Sequence, residues 1–248
     1  MSKGYITIAQ NSEDIDYLEM SYALALSLKA SQENSNLCVC VDEETRKLIT
    51  DKHIQAFDAI VDIPWNDDAK GNKWKINNKW KYPHMTPYDE TIILDSDMIF
   101  TDSVDHWWDY LAKKDVWCCT NVKTFRNEDV TSDYYRKKFT QLNLPNIYSN
   151  FTYFKKSELT FEFFKMVELI MVHWNVYFDK FLSGVGQNWM SADVAYALAI
   201  QLLDIEAETC DYDIKDVPTF VHMKSMVQNI PENQIDSNWT KSITSELG

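Results

Sequence analysis

Along the first 120 residues, short apolar runs alternate with stretches whose apolar positions recur at helical spacing. Residues 5–9 (YITIA) form the first run, and Gln10, Asn11 and Ser12 break it. Leu18, Ala25 and Leu28, with Tyr22 and Leu24 nearby, then fall on one face of a helix over residues 17–30. A second strand is predicted over 37–41 (LCVCV) and a helix over 43–50. Three more strands are predicted over 59–63, closed by Pro64, over 91–94 and over 116–120. Strands alternating with helices predict a parallel, doubly wound sheet, and ligands of such sheets bind outside the carboxyl ends of the strands.

The second half has a different rhythm. Residues 158–181 predict one long aromatic-rich helix or a helix pair, and residues 191–203 a further helix. Gly184 and Gly186 mark a loop between them. Residues 219–222 (TFVH) predict a late strand, and the stretch beyond Pro231 is polar. With no internal repeat and no low-complexity linker, one domain over 1–248 is expected.

Composition narrows the class. At 45% hydrophobic and 14% aromatic residues the chain is globular. A net charge of -14 weakens any general attraction to nucleic acid or an anionic membrane, although a local basic site stays open. Four of the five cysteines, Cys38, Cys40, Cys118 and Cys119, lie on apparent core strands and none has CxxC spacing, which predicts reduced, buried thiols and no zinc site. The N-terminus MSKGYITIAQ has no apolar signal core, and no run of about 18 apolar residues occurs. A cytoplasmic protein with no membrane partner is expected.

One predicted strand ends awkwardly. TIILDSDMIF runs from apolar residues into Asp95, Ser96 and Asp97. On an extended segment, residues i and i+2 project to the same side, so Asp95 and Asp97 would aim two carboxylates at one point. A divalent cation resolves their repulsion, and carboxylate oxygens suit Mg²⁺ or Mn²⁺. A strand-end turn capped by either aspartate is the competing explanation.

The stretch PYDETIILDSDMIF resembles the aspartate-x-aspartate region of nucleotide-sugar glycosyltransferases with the GT-A fold, in particular the glycogenin-like and galactinol-synthase-like retaining family. GYITIAQNSEDIDYLEMSYALALSLK, NLCVCVDEETRKLI, KWKINNKWKYPHMTPYDE, YSNFTYFKKS and FVHMKS resemble further family segments in the same order. The resemblance implies an α/β, GT-A (Rossmann-like) mixed, mostly parallel sheet flanked by helices. A nucleotide-binding half over about 1–120 and an acceptor-side half over about 121–230 would follow.

The resemblance also assigns roles. Asp97 would be a direct metal ligand, Asp95 would be shared between metal and ribose, and His222 would complete the metal shell. Ser96 lies between the two carboxylates in the donor site. Ala9, Gln10 and Asn11 fall where the family holds base and ribose, and Lys75 or Lys79 where it holds the donor phosphates. Lys224 would lie near the pyrophosphate, although the family's glycine after the histidine is absent here. Asn150 would face the donor sugar, with Phe151 in place of the usual glycine. Asp193 would oppose the reacting carbon, with Val194 in place of the common glutamine; an acidic residue stabilising a helix start is the alternative.

KGNKWKINNKWK admits three readings: a solvated helix face whose tryptophans reach the core, a phosphate-contacting segment, and a nucleic-acid surface of lysines and aromatics. The last would suit glycosylation of a modified DNA base. The reaction implied by the resemblance is Mn²⁺- or Mg²⁺-dependent transfer from a UDP-sugar to an acceptor hydroxyl, with retention. The acceptor, whether saccharide, small molecule, protein or modified base, stays open. A two-metal phosphohydrolase or nucleotidyltransferase and a non-catalytic sugar-nucleotide sensor are the rival classes. The first would need more acidic ligands, for which Asp102 and Asp105 are available.

Overall fold

The computed structural model describes residues 1–72, 74–120, 136–186 and 188–212, together with the backbone of 220–222. The first strand, β1 (Lys3–Ala9), leads into α1 (Tyr17–Ser31). Asp16 caps that helix by accepting from the Glu19 amide, and Asn11 braces the entry by accepting from the Leu18 amide at 2.9 Å. β2 (Leu37–Val41) matches its predicted bounds. The helix expected over 43–50 is instead two short ones, α2 (Glu43–Arg46) and α3 (Asp51–Ala56). Each has its own N-cap residue, Asp42 and Thr50, which gives the chain two helix starts.

β3 (Ala59–Asp62) is followed by a loop, a 3₁₀ turn at Lys79–Lys81 and α4 (Tyr82–Met85). Next come β4 (Glu90–Leu94), β5 (Met98–Phe100), α5 (Trp107–Leu111) and β6 (Val116–Cys119). The remaining elements are α6 (Lys137–Gln141), β7 (Tyr148–Lys155), α7 (Glu158–Val172), α8 (Trp174–Tyr177), α9 (Ala192–Leu203), α10 (Glu206–Thr209) and β8 (Phe220–His222). The aromatic-rich stretch is thus split: α7 ends at Val172, and a π-helical turn over Phe178–Leu182 follows α8.

The main sheet runs β3-β2-β1-β4-β7-β6. β1 to β4 are mutually parallel, whereas β7 pairs antiparallel with both β4 and β6. The sheet is therefore mixed and mostly parallel, as expected: the five strands predicted over the first 120 residues run the same way and β7 opposes them. Its strands read as continuous apolar runs because both faces are covered. Ile6, Ile8, Cys38, Cys40 and Ile93 face a core shared with α7 and α9. Tyr5, Ala9, Val39, Ile92 and Leu94 face the opposite core with α1 and α5. Burial of each such large aliphatic side chain stabilises the fold by about 1.5–3 kcal/mol.

Two consequences position the site. The order reverses between β1 and β4, which opens a crevice at their carboxyl ends. Because β7 runs the other way, its first residues lie at that same edge: Leu94 pairs with Phe151, so Asn150 comes level with Asp95.

Candidate functional site at the carboxyl ends of β1 and β4

Asp95 sits where β4 ends. Its Oδ1 accepts from Lys79 Nζ at 3.0 Å and its Oδ2 from Asn150 Nδ2 at 2.6 Å. Lys79 Nζ also donates to Asn150 Oδ1 at 2.6 Å, closing a triangle of three side chains drawn from a loop and two strands. The Lys79 side chain is 9% exposed and that of Asp95 27%, so the ammonium is the more deeply held partner. Alternation along β7 sends Phe151 into the core against Trp107 and Trp117, while Asn150 faces the network.

The aspartate pair does not have the geometry expected of an extended segment. Residues 95–97 turn between β4 and β5, leaving Asp97 only 6% exposed and Ser96 buried beside it. The i, i+2 projection is therefore not what joins the carboxylates. The Tyr148 hydroxyl is nevertheless pushed well above its usual pKa, first by burial and then by Asp95, Asp193 and Asp97 together. Burial also raises Tyr82 and Tyr196, and both sense Asp95. Three phenols are thus kept neutral around a concentration of negative charge.

Asp193, in the first turn of α9, is held by three donors. Ser149 N and Ser149 Oγ donate to its Oδ1 at 2.9 and 2.6 Å, and Arg136 donates to Oδ2 at 3.0 Å. Its role thus extends beyond the helix start, because it ties α9 to the head of β7.

At the carboxyl end of β1, Ala9 and Gln10 are fully buried. Gln10 Nε2 donates to Asp42 and Asp67, both at 3.1 Å, and its Oε1 accepts from Asn78 at 2.8 Å. Burial raises the Asp67 carboxyl, but donation from Asn78, Gln10 and the Ala69 amide, with Lys75 nearby, leaves it below its usual value. Asn11 is partly exposed; its backbone amide donates to Thr45 Oγ1 and its side-chain amide to Asp16. Lys75 donates to the Ala69 carbonyl at 3.1 Å, away from the Asp95 triangle.

Of the three readings open for the lysine-tryptophan stretch, the solvated helix face does not hold for its last two lysines. Lys79 and Lys81 are buried, and the latter meets the Asn66 carbonyl and Asp68. Those two lysines are therefore withdrawn from any nucleic-acid surface. Asp105 is likewise occupied, accepting from the Glu33 and Asn34 amides and from Ser103 Oγ.

A divalent cation was expected at Asp95, Asp97 and His222. Antiparallel pairing of β5 with β8 sets the His222 backbone opposite Met98, the residue after Asp97. Among the described residues, which do not include the His222 side chain, no group of three or more His, Cys, Asp or Glu could hold a metal. The donor chemistry fits a hard cation: two neighbouring carboxylates, with a histidine brought close by backbone register. Lys224 lies outside the described residues. Local pattern carried no signal for Arg136, Ser149, Asn78 or Asp67, since each acts through a partner at least ten residues away. The five cysteines are buried and none is in a disulfide, as expected.

No protein-family model and no curated protein sequence matches the chain. Solved structures do match, among them mouse xyloside xylosyltransferase 1 in its apo form. That structure superposes with a TM-score of 0.57 at 10% sequence identity, covering 93% of this chain and 99% of the other. The likeness is one of fold: a mixed, mostly parallel six-stranded sheet flanked by helices, the Rossmann-like architecture of a glycosyltransferase. No described helix is long and apolar enough to cross a membrane.

Proposed function

We propose that the chain is a divalent-metal-dependent glycosyltransferase that moves a sugar from a nucleoside diphosphate sugar, a UDP-sugar, to an acceptor hydroxyl with retention. The observation that carries this reading is the Lys79–Asp95–Asn150 triangle at the β1/β4 switch point. Open α/β sheets bind their ligands in the crevice at such a point.

Each residue has a task in this reaction. Lys79 places a fixed positive charge beside the carboxylates, where a diphosphate leaving group would gain negative charge. Asn150 is oriented by Lys79 and Asp95 at once, which leaves its amide little freedom to turn from the donor sugar. Asp95, Asp97 and His222 would hold the cation, which supplies Lewis-acid stabilisation of the departing diphosphate. Gln10 orders Asp42 and Asp67 beneath the nucleotide, and Asn11 offers its partly exposed edge.

Asp193 favours retention in this reading. An inverting reaction needs a carboxylate free to take the acceptor's proton. Asp193 accepts three hydrogen bonds, one from a guanidinium, so both its oxygens are already engaged. In the retaining reaction the bond from the anomeric carbon to the diphosphate oxygen breaks and the acceptor oxygen bonds to that carbon. The acceptor's proton passes to the departing phosphate oxygen. Asp193 then serves by negative charge and by anchoring Ser149.

The test is thermal stabilisation by UDP, GDP, ADP and CMP, each with Mn²⁺ or with chelator, followed by donor-sugar turnover. UDP with Mn²⁺ is expected to raise the melting temperature most, and Asp97→Asn to remove the Mn²⁺ increment without unfolding the protein. Equal stabilisation or turnover with chelator refutes the metal role.

A further inference from the structure

We propose that Trp65, Trp80, His84 and Phe161 form a saccharide-binding shelf, lined by none of the residues around Asp95. The proposal goes beyond the transfer reaction and does not depend on it.

The shelf begins with a local anomaly. Trp65, just after Pro64, has φ +60°, a left-handed conformation that a bulky L-residue rarely adopts, and is 66% exposed. An exposed indole held in an unfavourable backbone conformation points to a use for that indole. Its ring stacks on Trp80, with centroids 5.7 Å apart and planes 9° from parallel. Trp80 is fixed from behind, its Nε1 donating to Asp68 at 3.1 Å and Lys81 lying 5.2 Å from its ring. With one face of Trp65 on Trp80, its exposure falls on the opposite face and the edge.

The surroundings complete a site. His84 stands edge-on to Trp65 at 5.0 Å, and Phe161 on α7 meets His84 at 5.6 Å. Together with Phe164 they border an open cavity of about 600 Å³, within the usual range of about 300–1,000 Å³ for small-molecule sites. Glu162, Lys165 and Glu168 supply its polar rim. Burial lowers the His84 pKa, which favours an uncharged imidazole that can both donate and accept.

A flat apolar ring face beside a rim of carboxylates, an amine and an imidazole matches a pyranose. The C–H face of the sugar covers the indole, and its hydroxyls both donate to the carboxylates and accept from Lys165. A wholly apolar ligand would make no use of those rim groups. An organic cation would also stack on indoles. However, Glu168 is already paired with Lys165 at 2.6 Å, which cuts the negative charge such a cation needs.

The test uses the full chain in chelator without nucleotide, titrated with maltotriose, cellotriose and xylotriose. Tryptophan fluorescence and saturation-transfer NMR report binding. At least one trisaccharide is expected to bind saturably, and Trp65→Ala to weaken it about tenfold or more, with unchanged circular dichroism. Phe161→Ala is expected to weaken it as well, and tetramethylammonium not to compete. Three outcomes overturn the proposal: no saturable binding by any of the three sugars, binding that survives Trp65→Ala, or Trp65-dependent binding of tetramethylammonium in their place.

Discussion

Removing either charge from the Lys79–Asp95 pair should destabilise the protein, but not equally. Lys79 is held at 3.0 Å from Asp95 and 2.6 Å from Asn150, with only 9% of its side chain exposed against 27% for Asp95. In Lys79→Met the abandoned carboxylate can take up water and keeps the Asn150 amide. That loss of charge-assisted bonds, offset by release of a buried ammonium, comes to about 1–2 kcal/mol. In Asp95→Asn the ammonium stays buried without its carboxylate. Breaking a wholly buried pair costs about 3–5 kcal/mol, and the partial exposure of Asp95 reduces this to about 2–3 kcal/mol. The double variant should be less destabilised than the sum of the two singles, because its second change removes the stranded charge. Urea unfolding at 25 °C in chelator measures all four proteins, and the melting temperature should fall by about 2–4 °C per kcal/mol. If Lys79→Met proves the more harmful change, or the effects add within about 0.5 kcal/mol, the pair is not a buried ion pair.

Three further outcomes follow from single positions. Gly4→Ala puts a Cβ about 2.4 Å from the Tyr88 ring, a clash expected to cost about 1–3 kcal/mol in chemical denaturation. Asp204, which ends α9 at φ +56°, occupies a left-handed position that glycine fills without strain. Asp204→Gly should therefore raise stability by about 0.5–1 kcal/mol, and a loss would refute the strain. The Asp67 carboxyl is depressed below its ordinary value, so its contribution is present above about pH 4 and is lost as pH falls through the lowered folded pKa. Asn78→Ala removes a donor that lowers it, and the acid limb of a stability-versus-pH curve should become shallower; an unchanged limb refutes the assignment.

The alternating pattern alone determined much of the frame. β2 was legible to the residue, and β1, α1, β4 and α9 to within a residue or two, because burial on both faces writes itself as local runs and a helix writes its period. The place of Asp95 at a strand's carboxyl end was legible for the same reason. The direction of β7 was not, since periodicity carries no sign of which way a strand runs. Nor was the fate of the lysines. A solvated face, a phosphate contact and a nucleic-acid surface were all open for this stretch, because a charge can be buried wherever a partner satisfies it, and Asn150 comes to Lys79 from 71 residues away. Arg136 and Asp193 meet across 57 residues for the same reason. The sequence by itself supplied the strands and the carboxylates. Only the tertiary structure decided their neighbours, because those contacts depend on strand order and register, which residue spacing along the chain does not encode.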